Sequence, residues 1–63
     1  MKYYKIINDM TGDATVVVAT DEGNACDTAE TEFLTFTPER FVNTARMTVT
    51  KVTQADYDEW FGN

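Results

Sequence analysis

The topology of this chain is set by residues 2–20, which read Lys2-Tyr3-Tyr4-Lys5-Ile6-Ile7-Asn8-Asp9-Met10-Thr11-Gly12-Asp13-Ala14-Thr15-Val16-Val17-Val18-Ala19-Thr20. Two runs rich in β-branched and aromatic side chains, residues 2–8 and 14–20, flank a polar segment that contains one glycine. Such runs are typical of β-strands, and Gly12 is able to take the positive φ that a short connection requires. Residues 2–20 therefore predict a β-hairpin.

A helix is expected next, because the apolar residues change from alternating to helical spacing. One face of a helix over roughly residues 21–33 is formed by Ala25, Ala29 and Phe33, which recur at intervals of four residues. Thr20 or Asp21 is expected as the N-cap, since either side chain can accept a hydrogen bond from the first turn.

The C-terminal part of the chain predicts a strand and a short closing helix. Polar and apolar residues alternate over residues 45–52, as expected for a half-buried strand. Thr53 and Asp56 have the spacing of a capping box, and Gly62 is suited to end the helix that they begin. Before the strand, residues 37–40 place a proline at a first helical position and predict a single helical turn.

These elements predict an α+β fold of order β-β-α-β-α in a single domain, residues 1–63. A right-handed connection between the second and third strands leaves the first strand in the middle of a mainly antiparallel sheet of order 2-1-3. The main helix forms a second layer on one sheet face, which is expected to carry Tyr4, Ile6, Val16, Val18, Met47 and Val49. The closing helix only partly covers the other face, which is expected to carry Tyr3, Lys5, Ile7, Val17, Arg46, Thr48 and Thr50.

Aromatic residues lie on the closing helix and beside the proline. Tyr57, Trp60 and Phe61 follow an i, i+3, i+4 spacing and so share one helix face. We expect them in the core, because a small domain has few other large side chains to bury; the alternative is that Trp60 or Phe61 is an exposed anchor for a partner. Phe36 and Phe41 are likewise expected in the core.

The composition argues against catalysis and metal binding. The chain has 63 residues, one cysteine and no histidine, so it lacks a disulfide, the usual zinc ligands and the base that a serine or cysteine nucleophile requires. Its three glycines do not have the spacing of a phosphate-binding loop. We therefore expect no enzymatic activity, no cofactor and no metal. Cys26 is expected to be a small buried apolar side chain.

The cellular location is also suggested by the composition. A single cysteine suits a reducing compartment, and the chain has no run with the length and hydrophobicity of a signal peptide or a membrane span. The sequence therefore predicts a cytoplasmic protein without a membrane partner.

The main functional signal is charge. Between Lys5 and Arg40 the chain carries eight carboxylates and no basic residue, and its net charge is −6. An uncompensated block of negative charge favours cationic partners. We expect this block to bind a basic surface on a large host protein or ribonucleoprotein complex, as a nucleic acid does; the alternative is a merely solvated helix surface. The candidate binding residues are Asp9, Asp13, Asp21, Glu22, Asp27, Glu30 and Glu32.

Direct nucleic-acid binding is an alternative that the sheet itself suggests. Tyr3 and Lys5 on an open sheet face could stack bases, and Lys2, Arg46 and Lys51 on neighbouring strands could add positive charge. Eleven acids against five bases oppose binding to a polyanion. We therefore expect a protein partner and no direct contact with nucleic acid.

Three segments together suggest a likeness to known proteins: Val-Ala-Thr-Asp-Glu at residues 18–22, the helix with Ala25 and Ala29, and the closing strand over residues 47–52. Their arrangement resembles that of small phage-encoded proteins that inhibit host machinery, including inhibitors of bacterial RNA polymerase and some anti-CRISPR proteins. The resemblance covers roughly residues 3–52 and is one of arrangement, size and acidity, so it transfers no functional residue. It implies inhibition by binding.

Two hypotheses follow from these observations. In the first, the chain is an acidic binding module of a phage or mobile element, and it occupies a basic nucleic-acid-binding surface on a CRISPR effector or RNA polymerase of a bacterial host. In the second, it is a self-associating structural or accessory protein that forms a homodimer through the open sheet face or a sheet edge. The oligomeric state, monomer or homodimer, helps to separate the two.

Overall fold

The computed structural model describes residues 1–62 and contains three strands and two α-helices in these residues. The elements are β1 Lys2–Asn8, β2 Ala14–Ala19, α1 Glu22–Phe36, β3 Met47–Val52 and α2 Gln54–Trp60, with 3-10 turns at Glu39–Phe41 and Thr44–Arg46. β1 lies in the middle of the sheet and is antiparallel to both neighbours, which gives the order β2-β1-β3. The predicted fold class and sheet order are confirmed. Asn63, the last residue of the predicted domain, lies outside the described residues.

The β1–β2 connection is a tight polar turn, as predicted. The Asn8 N–H donates to the carbonyl oxygen of Asp13 at 2.7 Å and closes the turn. Gly12 has a φ of 82°, in the left-handed region that residues with a Cβ rarely adopt. A glycine is therefore strongly favoured at this position of the hairpin.

Helix α1 begins where the sequence predicts and ends three residues later. Asp21 is the N-cap, and its carboxylate accepts a hydrogen bond from the Asn24 N–H at 2.9 Å. At the other end the Thr37 N–H donates to the Phe33 carbonyl oxygen at 2.7 Å. Thr37 is extended because the following Pro38 disfavours helical backbone at the residue before it. The proline therefore ends α1. The spacing of apolar residues did not predict this end, because the spacing extends only to Phe33.

The hydrophobic core lies between α1 and one face of the sheet. The helix contributes Ala25, Ala29 and Phe33, which are all buried. The sheet contributes the buried residues Tyr4, Ile6, Val17 and Ala19, while Val42, Met47 and Val49 pack at the margin. Two fully buried alanines leave room for the helix backbone to approach the sheet closely. The expected core positions of Tyr4, Ile6, Met47 and Val49 are confirmed.

The predicted face assignment of β2 is wrong by one residue. Tyr4 is paired with Val17 and Lys5 with Val16, and directly paired residues of antiparallel strands point to the same side of the sheet. Val17 therefore faces α1, whereas Val16 and Val18 lie on the opposite face. The run of three valines has no alternation, so hydrophobicity alone did not fix the register.

The start of β3 and the position of Arg46 also differ from the prediction. Thr44–Arg46 form a 3-10 turn because the side chain of Asn43 accepts a hydrogen bond from the Ala45 N–H at 2.9 Å. The strand begins only at Met47. Arg46 is therefore not on the open sheet face where it was expected. The helical turn expected near residues 37–40 is confirmed as Glu39–Phe41.

One buried polar side chain connects the hairpin to the segment that follows α1. Asn8 is 0% exposed, and its Nδ2 donates to the carbonyl oxygen of Phe41 at 3.0 Å. Its Oδ1 accepts from the Met10 N–H, also at 3.0 Å. A buried amide is stable only when both ends are hydrogen-bonded. Asn8 therefore fixes the turn and the loop around Phe41 relative to each other.

Helix α2 lies against the sheet face opposite α1. The ring of Tyr57 is 5.1 Å from the ring of Tyr3, and the Nζ of Lys5 is 5.3 Å from the centre of the Trp60 ring. The helix has only seven residues, so it covers part of this face, as expected.

The expectation that the large aromatic residues are buried is wrong for four of them. Phe36 is 90% exposed, Phe61 53%, Trp60 44% and Phe41 38%. Trp60 and Phe61 lie at the C-terminal end of the short helix α2, where no other helix or strand of the described residues covers them fully. Phe36 lies on the last turn of α1, beyond the buried residues of that helix. Cys26 is half-buried rather than buried.

The predicted capping box of α2 is confirmed and makes this helix sensitive to acid. The Thr53 N–H donates to the Asp56 carboxylate at 3.1 Å, and the Asp56 N–H donates to the Thr53 hydroxyl, also at 3.1 Å. The backbone hydrogen bond from Thr53, followed by its side-chain hydrogen bond, lowers the pKa of Asp56 below its ordinary 3.8. A carboxyl with a lowered pKa in the folded state stabilises the fold above its unfolded pKa, and this contribution is lost as the pH falls through the folded value.

We therefore expect the Asp56→Asn variant to lose less stability than the parent chain when the pH is lowered through the acidic range. Urea unfolding followed by circular dichroism at a series of pH values measures this difference. The matched control is Asp58→Asn, which neutralises an acid of the same helix outside the capping box. An equal reduction of the acid sensitivity in both variants would contradict the assignment to Asp56.

No helix within residues 1–62 has both the length and the hydrophobicity needed to cross a membrane.

Candidate functional site

Most of the predicted acidic residues lie around α1. Asp21 and Glu22 are at its N-terminal end, Asp27, Glu30 and Glu32 are along it, and Asp13 contacts Thr37 just beyond its C-terminal end. Of these six, only Glu30 is half-buried and the others are exposed. We name this set, Asp13, Asp21, Glu22, Asp27, Glu30 and Glu32, the acidic surface.

Threonine hydroxyl groups hold two carboxylates of the acidic surface in place. The Oδ2 of Asp13 accepts hydrogen bonds from the hydroxyl groups of Thr11 at 2.9 Å and Thr37 at 3.2 Å. The Oε2 of Glu32 accepts a hydrogen bond from the Thr15 hydroxyl at 2.5 Å. These bonds tie the hairpin to the second half of α1, so the carboxylates of Asp13 and Glu32 have fixed positions at the same end of the molecule.

Asp9 is separated from the acidic surface, although the sequence analysis placed it there. Its carboxylate accepts hydrogen bonds from the Thr48 hydroxyl at 2.9 and 3.0 Å. Thr48 is paired with Ile7, on the sheet face opposite the buried Ile6. Asp9 and Asp13 occupy the two ends of the turn, and their side chains point to opposite faces of the sheet. The acidic surface therefore has six members.

The remaining carboxylates of α1 divide between its two flanks. Asp27 and Glu30 are three residues apart and share a flank, whereas Glu32 lies on the flank beside β2, where it contacts Thr15.

Cys26 lies beside Asp27 and Glu30. Burial raises the pKa of the Cys26 thiol, and the negative charges of Asp27 and then Glu22 raise it further. The thiol is thus disfavoured as a nucleophile, because only the thiolate is reactive.

The lysines that were expected to cluster on neighbouring strands lie on both faces of the sheet. Lys2 is paired with Ala19 and Lys51 with Tyr4, which places both on the α1 face of the sheet. Lys5 lies on the opposite face, against Trp60. The ring of Tyr3 packs on Tyr57, so it is not a free platform for stacking a base. Within residues 1–62, Lys2 and Lys51 are thus separated from Lys5 and its aromatic neighbours by the sheet.

Two surface cavities in the structure were not predicted from the sequence. The larger, of about 500 Å³, is a groove between the sheet and α2 and is lined by Lys5, Val16, Val52, Asp56, Glu59 and Trp60. The smaller, of about 200 Å³, lies where the hairpin meets the end of α1 and is lined by Asp13, Ala14, Thr15, Glu32, Phe33, Phe36 and Thr37. We name the smaller one the hairpin–helix cavity. Its residues are far apart in the chain, so no local pattern revealed it.

The carboxylates do not converge on a single point. Within the described residues, no group of three or more cysteine, aspartate or glutamate side chains is placed to hold a metal ion. The acidic surface is therefore an extended field of negative charge around α1.

Comparison with protein-family models, with curated proteins and with solved structures gives no match.

Proposed function

We propose that this chain is a non-enzymatic acidic binding module that inhibits a nucleic-acid-processing complex by occupying its basic surface. The observation that carries the proposal is the acidic surface itself, six carboxylates placed around one helix in a stretch, residues 6–39, that contains no basic residue. Such a uniform negative field attracts a cationic groove and repels nucleic acid. The partner is a large complex of a bacterial host, such as a CRISPR effector or RNA polymerase, and the location is the host cytoplasm.

The distribution of the negative charges supports this proposal. Asp21 and Glu22 lie at the start of α1, Asp27, Glu30 and Glu32 lie along it, and Asp13 lies near its C-terminal end. Helix α1 has 15 residues and is therefore about 22 Å long, so the negative charge extends over a length that can contact several lysines and arginines of a phosphate-binding groove. The chain thus competes with nucleic acid for the same cationic side chains.

The second candidate function is a homodimer, and the exposed aromatic residues favour it. Trp60 is 44% exposed and Phe61 53% exposed at the end of α2. β2 and β3 are both edge strands of the described sheet, and an unpaired edge can bind a second chain. In this function two copies associate through the open sheet face beside α2 or through an edge. Light scattering after size exclusion distinguishes this dimer from a monomer.

Capture from a bacterial lysate tests the proposed binding to a nucleic-acid-processing complex. We expect the immobilised chain to retain one large nucleic-acid-processing complex, which mass spectrometry identifies. Duplex DNA or RNA added as a competitor should release this complex. A rise in salt from about 0.05 to about 0.5 M should release it as well, because screening weakens contacts between exposed charges. A dimeric chain that retains no such complex, or a complex whose retention does not respond to salt or nucleic acid, would contradict the proposal.

A further inference from the structure

The hairpin–helix cavity combines negative charge with an exposed aromatic ring. Among residues 1–62 its lining contains the carboxylates of Asp13 and Glu32, the ring of Phe36 and no basic side chain. Phe36 is 90% exposed, although a phenylalanine on a helix of a small domain is normally used to build the core. The cavity is thus unlike the groove at α2, where Lys5 lies beside the carboxylates of Asp56 and Glu59.

The two carboxylates have oxygens available for an incoming donor. All threonine hydroxyl bonds to them go to Oδ2 of Asp13 and Oε2 of Glu32. Within residues 1–62, Oδ1 of Asp13 and Oε1 of Glu32 accept no side-chain hydrogen bond. The threonines therefore fix the orientation of both groups without using all their acceptor capacity, so that a ligand loses little entropy in ordering them.

The ligand that fits these features is a guanidinium group. It is planar, permanently charged and able to donate several hydrogen bonds to carboxylates, and its face stacks on an aromatic ring. A lysine ammonium group would also be attracted by the carboxylates of the cavity, but it is a compact point charge and would not stack on the ring of Phe36. The volume of about 200 Å³ admits one such side chain.

We propose that the hairpin–helix cavity binds an arginine side chain of the basic partner. This inference rests on the proposed function, because it names the partner side chain that the acidic protein recognises. The carboxylates of Asp13 and Glu32 receive the N–H donors of the arginine, and the ring of Phe36 covers its face. The rest of the acidic surface then adds long-range attraction without a fixed geometry.

A titration with N-acetyl-arginine amide tests the cavity without the partner. In a proton–nitrogen correlation spectrum of the labelled chain, we expect saturable shifts at the amides of Ala14, Thr15 and Thr37, and in a proton–carbon correlation spectrum we expect them at the ring of Phe36. The neutral citrulline analogue should give no saturable shift there, and the lysine analogue should bind more weakly. Equal binding of the lysine or citrulline analogue, or shifts spread over all the acidic residues, would overturn the assignment.

Paired variants locate the binding. Phe36→Ala should weaken the arginine probe about fivefold, the effect of a cation–π contact at an exposed site, and Glu32→Gln should weaken it at least as much. The controls are Leu34→Ala, another exposed apolar residue of α1, and Asp58→Asn, which removes one negative charge from an exposed position of α2. Both controls should stay within about twofold of the parent, since screening limits distant charges. Unchanged binding by Phe36→Ala and Glu32→Gln would overturn the proposal.

The failure of this inference is distinguishable from the failure of the proposed function. The probe binds or does not bind whether or not a host complex is captured from the lysate. Suppose that a complex is captured from the lysate and released by salt and by nucleic acid, but the arginine probe does not bind in the hairpin–helix cavity. This result would contradict the arginine assignment and leave the proposed inhibitor function unaffected.

Discussion

A Phe33→Ala variant is expected to be largely unfolded. Phe33 is 5% exposed and is the largest side chain that α1 contributes to the core, beside the fully buried Ala25 and Ala29. Truncating a buried phenylalanine costs about 3–5 kcal/mol, from the lost apolar contacts and from the cavity left behind. The core of a chain this short supplies only about 3–5 kcal/mol in total. One substitution therefore removes a free energy comparable to the whole stability of the domain.

Phe36→Ala is the matched control for this prediction. It is the same substitution on the same helix three residues later, but Phe36 is 90% exposed, so its free energy of unfolding should stay within about 0.5 kcal/mol of the parent. Urea unfolding followed by circular dichroism measures both variants. A Phe36→Ala variant as unstable as Phe33→Ala would show that the helix buries a different face from the one described.

The second large effect is expected at Asn8. Replacing it with alanine leaves the Phe41 carbonyl and the Met10 N–H without their partner, and the side chain is 0% exposed. An unsatisfied buried polar group costs about 1–3 kcal/mol, and a small void is added. We therefore expect Asn8→Ala to lose about 2–3 kcal/mol in urea unfolding. Asn43→Ala is the control, because that cap is exposed and bonds only a neighbouring N–H.

The Asn8→Asp variant separates the hydrogen bonds from the volume of the side chain. Aspartate retains the size and the acceptor for the Met10 N–H, but its ionised form cannot donate to the Phe41 carbonyl. Burial raises the pKa of such a carboxyl in the folded state, so its protonated form is favoured, and stability is lost as the pH rises through that value. Relative to the parent, this variant should be more stable at about pH 4 than at about pH 7. A destabilisation that does not change with pH would show that the donor bond to Phe41 contributes little.

The fold was largely predictable from the sequence, because its determinants are local. The hairpin follows from two β-rich runs around Gly12, the helix from the four-residue spacing of Ala25, Ala29 and Phe33, and α2 from its capping box. The sheet order follows from the handedness of a single connection. Each of these signals is contained within a short segment, so the local sequence was enough to predict the element.

The details of the core were less predictable, because they depend on contacts between distant segments. The side of the sheet that Val16, Val17 and Val18 face is fixed by the hairpin register and not by their hydrophobicity. The roles of Asn8 and Phe36 depend on what lies next to them in space. Asn8 meets a carbonyl 33 residues away, and no property of the neighbouring sequence indicates that contact.

The candidate surface was predicted in part. The absence of basic residues between Lys5 and Arg40 is visible in the sequence, and six of the seven proposed residues lie around α1. Asp9 was placed with them because it is near in sequence, but its bond to Thr48 turns it to the other sheet face. The hairpin–helix cavity was missed, since Thr15 and Glu32 are 17 residues apart. Proximity along the chain indicates charge density, but it does not indicate which charges share a face.

The role of the acidic surface is tested most directly by the affinity of two matched variants for the complex captured from a lysate. One variant carries Asp27→Asn with Glu30→Gln on α1, and the other carries Asp58→Asn with Glu59→Gln on α2, so each loses two negative charges. We expect the α1 variant to bind about tenfold more weakly and the α2 variant to bind nearly as tightly as the parent. Equal affinities of both variants and the parent chain would contradict the proposal that α1 presents its charge to a basic surface.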